Sequence, residues 1–119
     1  MTLQPNQINI VSDALTVKAA DAVTKYRFVG YDGKHCAANA AAIGVSYFTA
    51  ASGDPITVYG AGNIVPLEAG AAITIGGLVA SDANGKGVTA TLLDLTHAVN
   101  AMALQAATVD GDVISVLVL

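Results

Sequence analysis

The chain writes one pattern twice. Residues 17–32, Val-Lys-Ala-Ala-Asp-Ala-Val-Thr-Lys-Tyr-Arg-Phe-Val-Gly-Tyr-Asp, lie over residues 67–82 at a constant offset of 50, with Ala19/Ala69, Ala22/Ala72, Thr24/Thr74, Val29/Val79 and Asp32/Asp82 identical. A second block follows each copy. Residues 50–58, Ala-Ala-Ser-Gly-Asp-Pro-Ile-Thr-Val, match residues 106–116 once Val109 and Asp110 are set aside as a gap. A period of this length, with Gly-Asp and Asp-x-Gly turns between short β-branched runs, describes a duplicated β-unit whose halves bury one another. The expected fold is all-β, a small barrel or sandwich built from two tandem pseudo-repeats. The halves are residues 17–60 and 61–119 of one domain, preceded by an N-terminal arm, residues 1–16.

Composition narrows the rest. At 119 residues the chain suits one domain that buries roughly two thirds of its unfolded surface. Nine acids and five bases are its only Asp, Glu, Lys and Arg, while 54% of residues are hydrophobic and Trp is absent. Such a subunit is expected to hide part of its surface against partners. The net charge of −4 supplies no counterion-release drive, so no nucleic-acid partner is expected. The charge-free stretch from His35 to Gly53 is broken by Asn39, Gly44 and Ser46 and does not read as a membrane span. Neither a basic region nor an apolar core marks the first residues as a secretory signal. No membrane partner is expected.

The chemistry-bearing residues are few. His35, His97 and Cys36 do not make a four-ligand zinc set, and no Cys-x-x-Cys or His-x-x-x-His spacing occurs. Asp82-x-Asn84-Gly85 lacks the further donors of a calcium loop and reads as a turn. His35 and Cys36 are adjacent, which on a strand points them to opposite faces, and Cys36 reads as a buried small thiol. Glu68 is the only glutamate, and no paired-carboxylate site is supported. Neither a cofactor nor an enzyme activity is expected.

Interaction residues are better candidates. In the arm, Ile8, Ile10 and Val11 alternate with polar neighbours, a pattern suited to adding a strand to a neighbour's sheet edge. All four bases of the first half fall between Lys18 and Lys34. Of these, Lys18, Lys25 and Arg27 could face an acidic protein surface or form a solvated strand face. Strands are expected at residues 23–29, 44–49, 56–59, 64–67, 72–75 and 113–119, the last central in its sheet. Residues 92–105 can be read as an Ala-rich helix carrying Leu95, Val99 and Met102. A strand over 101–105 is preferred, because the repeat lays it over 45–49. Gly76-Gly77 in place of Tyr26-Arg27 suggests a bulge or a close backbone approach.

Residues 67–86, Leu-Glu-Ala-Gly-Ala-Ala-Ile-Thr-Ile-Gly-Gly-Leu-Val-Ala-Ser-Asp-Ala-Asn-Gly-Lys, resemble the signature stretch of the capsid cement, or head decoration, proteins of tailed bacteriophages. Residues 103–107 followed by 111–116 are similar to that family's usual close, and Gly44-Val-Ser-Tyr47 and residues 53–58 to the first-half counterparts. The chain departs from the pattern at Gly76-Gly77 and in an insertion-like Thr89–Ala98. The resemblance implies a small, usually trimeric β-protein, made in the host cytoplasm. It would dock on the outside of the virion shell, bind the major capsid protein where capsomers meet, and resist the pressure of packaged DNA. A β-sandwich module binding a carbohydrate or other exposed ligand is the alternative, though only Tyr26, Tyr31, Tyr47, Tyr59 and two Phe are present as platforms.

Overall fold

The computed structural model describes residues 14–91 and 98–119. Its strands are β1 (Ala14–Lys18), β2 (Phe28–Gly30), β3 (Ala42–Ser46), β4 (Pro55–Tyr59), β5 (Ile64–Glu68), β6 (Leu78–Ser81), β7 (Gly87–Thr89), β8 (Ala101–Ala103) and β9 (Val113–Val118). They form two antiparallel sheets, ordered β1-β4-β3-β2 and β5-β9-β8-β6-β7. The described residues are therefore all-β, and β9 lies inside its sheet. The arm candidates Ile8, Ile10 and Val11 lie outside the described residues, as do Leu95 and His97. Ala14–Thr16, the end of the expected arm, open β1 and pair with β4.

The four strands of the first sheet recur in the second with matching pairs, and β7 is added beyond them. Ala14 pairs with Tyr59 as Ile64 pairs with Leu117, Phe28 with Val45 as Leu78 with Met102, and Ser46 with Val58 as Ala103 with Val116. The Gly-Asp turns recur for a physical reason. Gly53 and Gly111, at φ 90° and 96°, take the left-handed backbone open to glycine, and their amides donate to the carbonyls of Ala19 and Ala69 at 2.7 and 2.8 Å. Asp54 and Asp112 then accept from the amides of the same two alanines, at 2.8 and 2.7 Å. Each turn thus fastens the chain just after β1 or β5 to the start of β4 or β9.

Three expectations need correction. The strand expected over residues 23–29 is broken: Val23 makes one isolated bridge, to Ala50, and Tyr26 sits at φ 63°, so the extended run begins at Phe28. The strand expected over residues 72–75 is absent in the same way: Ile73 makes one isolated bridge, to Ala107, and Gly76 at φ 79° makes the same kink before β6. A local backbone reversal shared by both copies overrides the alternating pattern, and Gly76 adopts it without the steric penalty that Tyr26 bears. The alignment of the last strands also slips. Val45 corresponds to Met102 and Ala50 to Ala107, one residue later than the sequence match, because register follows the ladder and not residue identity.

Each copy buries matching residues: Ala19, Val23, Val29, Ile56 and Val58 in the first, and Ala69, Ile73, Val79, Ile114 and Val116 in the second. The halves meet through the opposite face of the first sheet. Phe28, Cys36 and Val45 join the second copy's cluster, with Ala40, Ala42 and Tyr59 packed against it. Burying Phe28 alone stabilises the junction by about 1.5–3 kcal/mol.

Polar groups complete this junction. The amide of Phe28 donates to the Gly85 carbonyl at 2.7 Å and that of Glu68 to Tyr26 at 2.8 Å. Buried Asn100 accepts from the Ala42 amide and donates to the Ala40 carbonyl, both at 3.0 Å, so its side chain acts as a short piece of strand for the other half. Gly85 sits at φ 78°, and a Cβ there would lie 2.6 Å from the Phe28 carbonyl oxygen, whereas a Cβ at Gly53 would meet nothing within 4 Å. Gly53→Ala is accordingly expected to cost about 1 kcal/mol, the left-handed backbone penalty alone. Gly85→Ala adds the steric clash and is expected to cost roughly 2–4 kcal/mol. Urea unfolding of the two variants checks the difference.

Candidate functional site

The three basic candidates occupy two segments, Lys18 on β1 and Lys25 and Arg27 in the bend before β2. Lys18 is exposed at the end of β1, opposite Pro55. Lys25 is exposed in the bend before β2, its amide held by Thr49 Oγ1 at 3.2 Å and its ammonium 5.1 Å from the centre of the Tyr26 ring. Arg27 is half-buried and turned toward the second copy. Its Nε and Nη2 donate to Glu68 Oε1 at 3.3 Å, and its Nη1 donates to the Asn84 carbonyl at 3.3 Å. Glu68 also meets Lys86 at 3.1 Å, and Lys86 meets Asp110 at 3.0 Å. The Asp110 and Glu68 carboxylates raise the Lys86 ammonium above its ordinary range. Arg27 therefore ties the halves together.

The bend before β2 has a second tether. His35 Nε2 accepts a hydrogen bond from the Thr24 amide at 2.9 Å, which requires that nitrogen to be unprotonated. Partial burial, and then the Arg27 charge, hold the imidazole below its usual range, against a smaller opposing pull from Asp82. Next to it, the buried Cys36 thiol donates to the Ala40 carbonyl at 3.3 Å, and desolvation pushes its pKa up. That is a packing role. Asp82 Oδ1 accepts from the amides of Asn84 and Lys86, at 2.8 and 2.9 Å, and closes a turn. Among the described residues no three His, Cys, Asp or Glu converge, and no enclosed pocket forms.

The surface features that sequence reasoning missed are apolar. Tyr26, Tyr47, Phe48 and Tyr59 form one aromatic group: the Tyr47 ring meets those of Tyr26, Phe48 and Tyr59 edge-on at 5.9, 5.2 and 5.5 Å. Tyr47 and Phe48 remain exposed. They are neighbours in sequence, but Tyr26 and Tyr59 join them only through the β2–β3–β4 pairing and the kink at Tyr26. The second feature is the outer face of the second sheet, where Ile64, Leu117, Met102 and Leu78 pair in line across β5, β9, β8 and β6. Ile64 is exposed and the other three are half-buried. Period-2 alternation shows that such a row shares a face but does not say whether anything covers it.

Comparison with known proteins adds what this geometry alone does not. The family model described as phage cement protein matches residues 8–118. The chain belongs to the phage cement protein family. Among solved structures it resembles the crystal structure of the head fiber gp8.5 N base of bacteriophage phi29, with a TM-score of 0.71 at 21% identity, covering 92% of this chain and 95% of that one. At that identity the likeness bears on the fold, and it matches the all-β, two-sheet arrangement. A search of curated proteins found no match. In this cement protein the apolar row around Ile64 and the aromatic group around Tyr47 and Phe48 leave large apolar side chains exposed.

His35 makes the bend before β2 acid-sensitive. Its folded pKa lies below its unfolded one, so the unfolded chain binds more protons between the two. The His35 contribution is fully present above about pH 6.5 and is lost as pH falls through that value toward the folded pKa. His35→Gln, whose carbonyl oxygen can accept the same bond without titrating, is expected to flatten stability between about pH 5 and 7 relative to the parent chain. Urea midpoints measured across that range check it.

Proposed function

We propose that the protein is a structural subunit of a phage head. It docks as a homotrimer on the outer surface of the shell, binds the major capsid protein and bridges neighbouring capsomers. The observation that carries this reading is the cement-family match along nearly the whole chain. A charge-poor chain with an apolar row on which Ile64 stands exposed supports it, since such surfaces gain by being covered. Bridging resists the outward push of packaged DNA because each contact raises the effective concentration of the next. No chemical turnover is involved, and the protein acts by binding alone, in the virion. The arm, through Ile8, Ile10 and Val11, and the exposed Lys18 and Lys25 contact the shell or a sister subunit, while Arg27 holds the bend that presents Lys25.

The aromatic group favours a second reading, a surface module for saccharides. Exposed Tyr47 and Phe48, backed by Tyr59, offer ring faces of the kind that sugars stack on. Retention on immobilised glycans that disappears in Tyr47→Ala is the result expected of it.

Shells assembled without the protein test the first reading. Saturable binding is expected, together with slower loss of packaged DNA on heating. Deleting residues 2–13, which stops short of β1, is expected to leave the domain folded and to weaken shell binding or trimer formation. Intact shells that bind none of the protein would sink the docking reading. A truncated form with unchanged affinity and assembly would sink the role of the arm.

A further inference from the structure

The two copies are equivalent in pairing but unequal in cover. Ala14, Tyr59, Val45 and Phe28 stand in line across the first sheet and share a face. In the molecule that face is closed: Phe28 and Val45 are buried, and Tyr59 packs, against the core of the second copy. The same line in the second sheet is Ile64, Leu117, Met102 and Leu78. Every member is a large aliphatic or thioether side chain. Among the described residues no repeat unit closes that line, and Ile64 is 65% exposed. Leu104, two residues beyond Met102, extends the apolar surface and is also exposed.

The complementary surface is unequal in the same way. Val65, opposite Val116 on β5, belongs to the core cluster that Phe28 and Val45 close, and is 4% exposed. Its counterpart on β1 is Leu15, opposite Val58, which is 42% exposed. One interface type thus needs two surfaces, the outer row of one copy and the β1 or β5 side of another. The chain uses the first copy's row and the second copy's β5 side internally. Among the described residues the second copy's row and the first copy's β1 side are left over.

We infer that a second subunit covers these leftovers. The Ile64–Leu117–Met102–Leu78 row of one subunit packs on the β1 side of the next, around Leu15, and repeats between chains the contact made within each chain. The inference rests on the self-association proposed above and adds to it the surfaces and their polarity. Such a contact is head-to-tail. It joins different patches on the two subunits, so it either closes into a ring or runs on, and three subunits in a ring present six repeat units.

A complementation experiment tests the interface. Ile64→Lys combined with Leu104→Lys spoils the row, Leu15→Lys spoils the β1 side, and all three positions are exposed, so the fold should survive. Circular dichroism and the urea midpoint confirm this for each variant. Sedimentation of the parent chain is expected to give a trimer, and each variant alone a monomer. A head-to-tail contact further requires that an equimolar mixture of the two variants form a one-to-one dimer, because one intact row and one intact β1 side remain between them. A parent chain that is monomeric with and without shells overturns the self-association reading itself. A parent trimer that survives both variants overturns this interface alone, as does a mixture that fails to dimerise. A row variant that stays trimeric but loses shell binding overturns it too, and assigns the row to the shell.

Discussion

The contact between the Phe28–Val45–Tyr59 row and the second copy's core is the interaction on which the rest of the structure depends. Neither sheet is large, with four and five strands, and several strands are three residues long. Sheets of that size bury little by themselves, so stability comes from stacking one repeat unit on the next. The polar groups at the junction follow from this contact. Asn100 must satisfy Ala40 and Ala42 because packing removes them from water, and leaving either unpaired would cost about 1–3 kcal/mol. Gly85 must be glycine-like because the Phe28 carbonyl approaches it closely.

Differences between the copies sort by what each position touches. Phe28 is replaced by Leu78 and Tyr59 by Leu117 where the first pair meets the second copy and, among the described residues, the second pair meets none. Arg27 and Glu68 pair across the junction, whereas their counterparts, Gly77 and Lys18, make no such pair. Ser46 and Ala103 are both buried, but only Ser46 holds a kinked tyrosine segment, its hydroxyl donating to the Thr24 carbonyl at 2.9 Å. Copies that stand in different surroundings keep the shared pairings and change the side chains that face across the junction.

This explains how much was legible in advance. The duplication, the all-β class, the Gly-Asp turns and the central final strand could be read from residues such as Gly53, Gly111, Ile56 and Ile114, because local backbone demands act the same way in both copies. The break at Tyr26 could not, since nothing about a tyrosine announces a positive φ, and only its match to Gly76 gave a signal. The one-residue slip at Val45 and Ala50 was hidden because alanine-rich stretches align equally well in two registers. Of the candidate contact residues, Lys18 and Lys25 could be placed on the surface from their charge. The engagement of Arg27 with Glu68 could not, because it links segments that meet only when the halves stack. The aromatic group was scattered over Tyr26, Tyr47, Phe48 and Tyr59, and became visible only once the β2–β3–β4 order was known.

Exposed apolar surface also bears on the edges of the sheets. β1 and β5 are equivalent edge strands, yet β5 carries Pro66 at its centre, whose missing N–H blunts further pairing, and its Glu68 amide is already bonded to Tyr26. β1 has Thr16 where β5 has Pro66, and its edge can take another strand. Among the described residues the second copy's edge is thus closed and the first copy's carries no further strand, the same polarity seen in the faces. A chain whose described residues leave one edge and one face of opposite copies uncovered is suited to directional contact, with one end offering what the other end lacks.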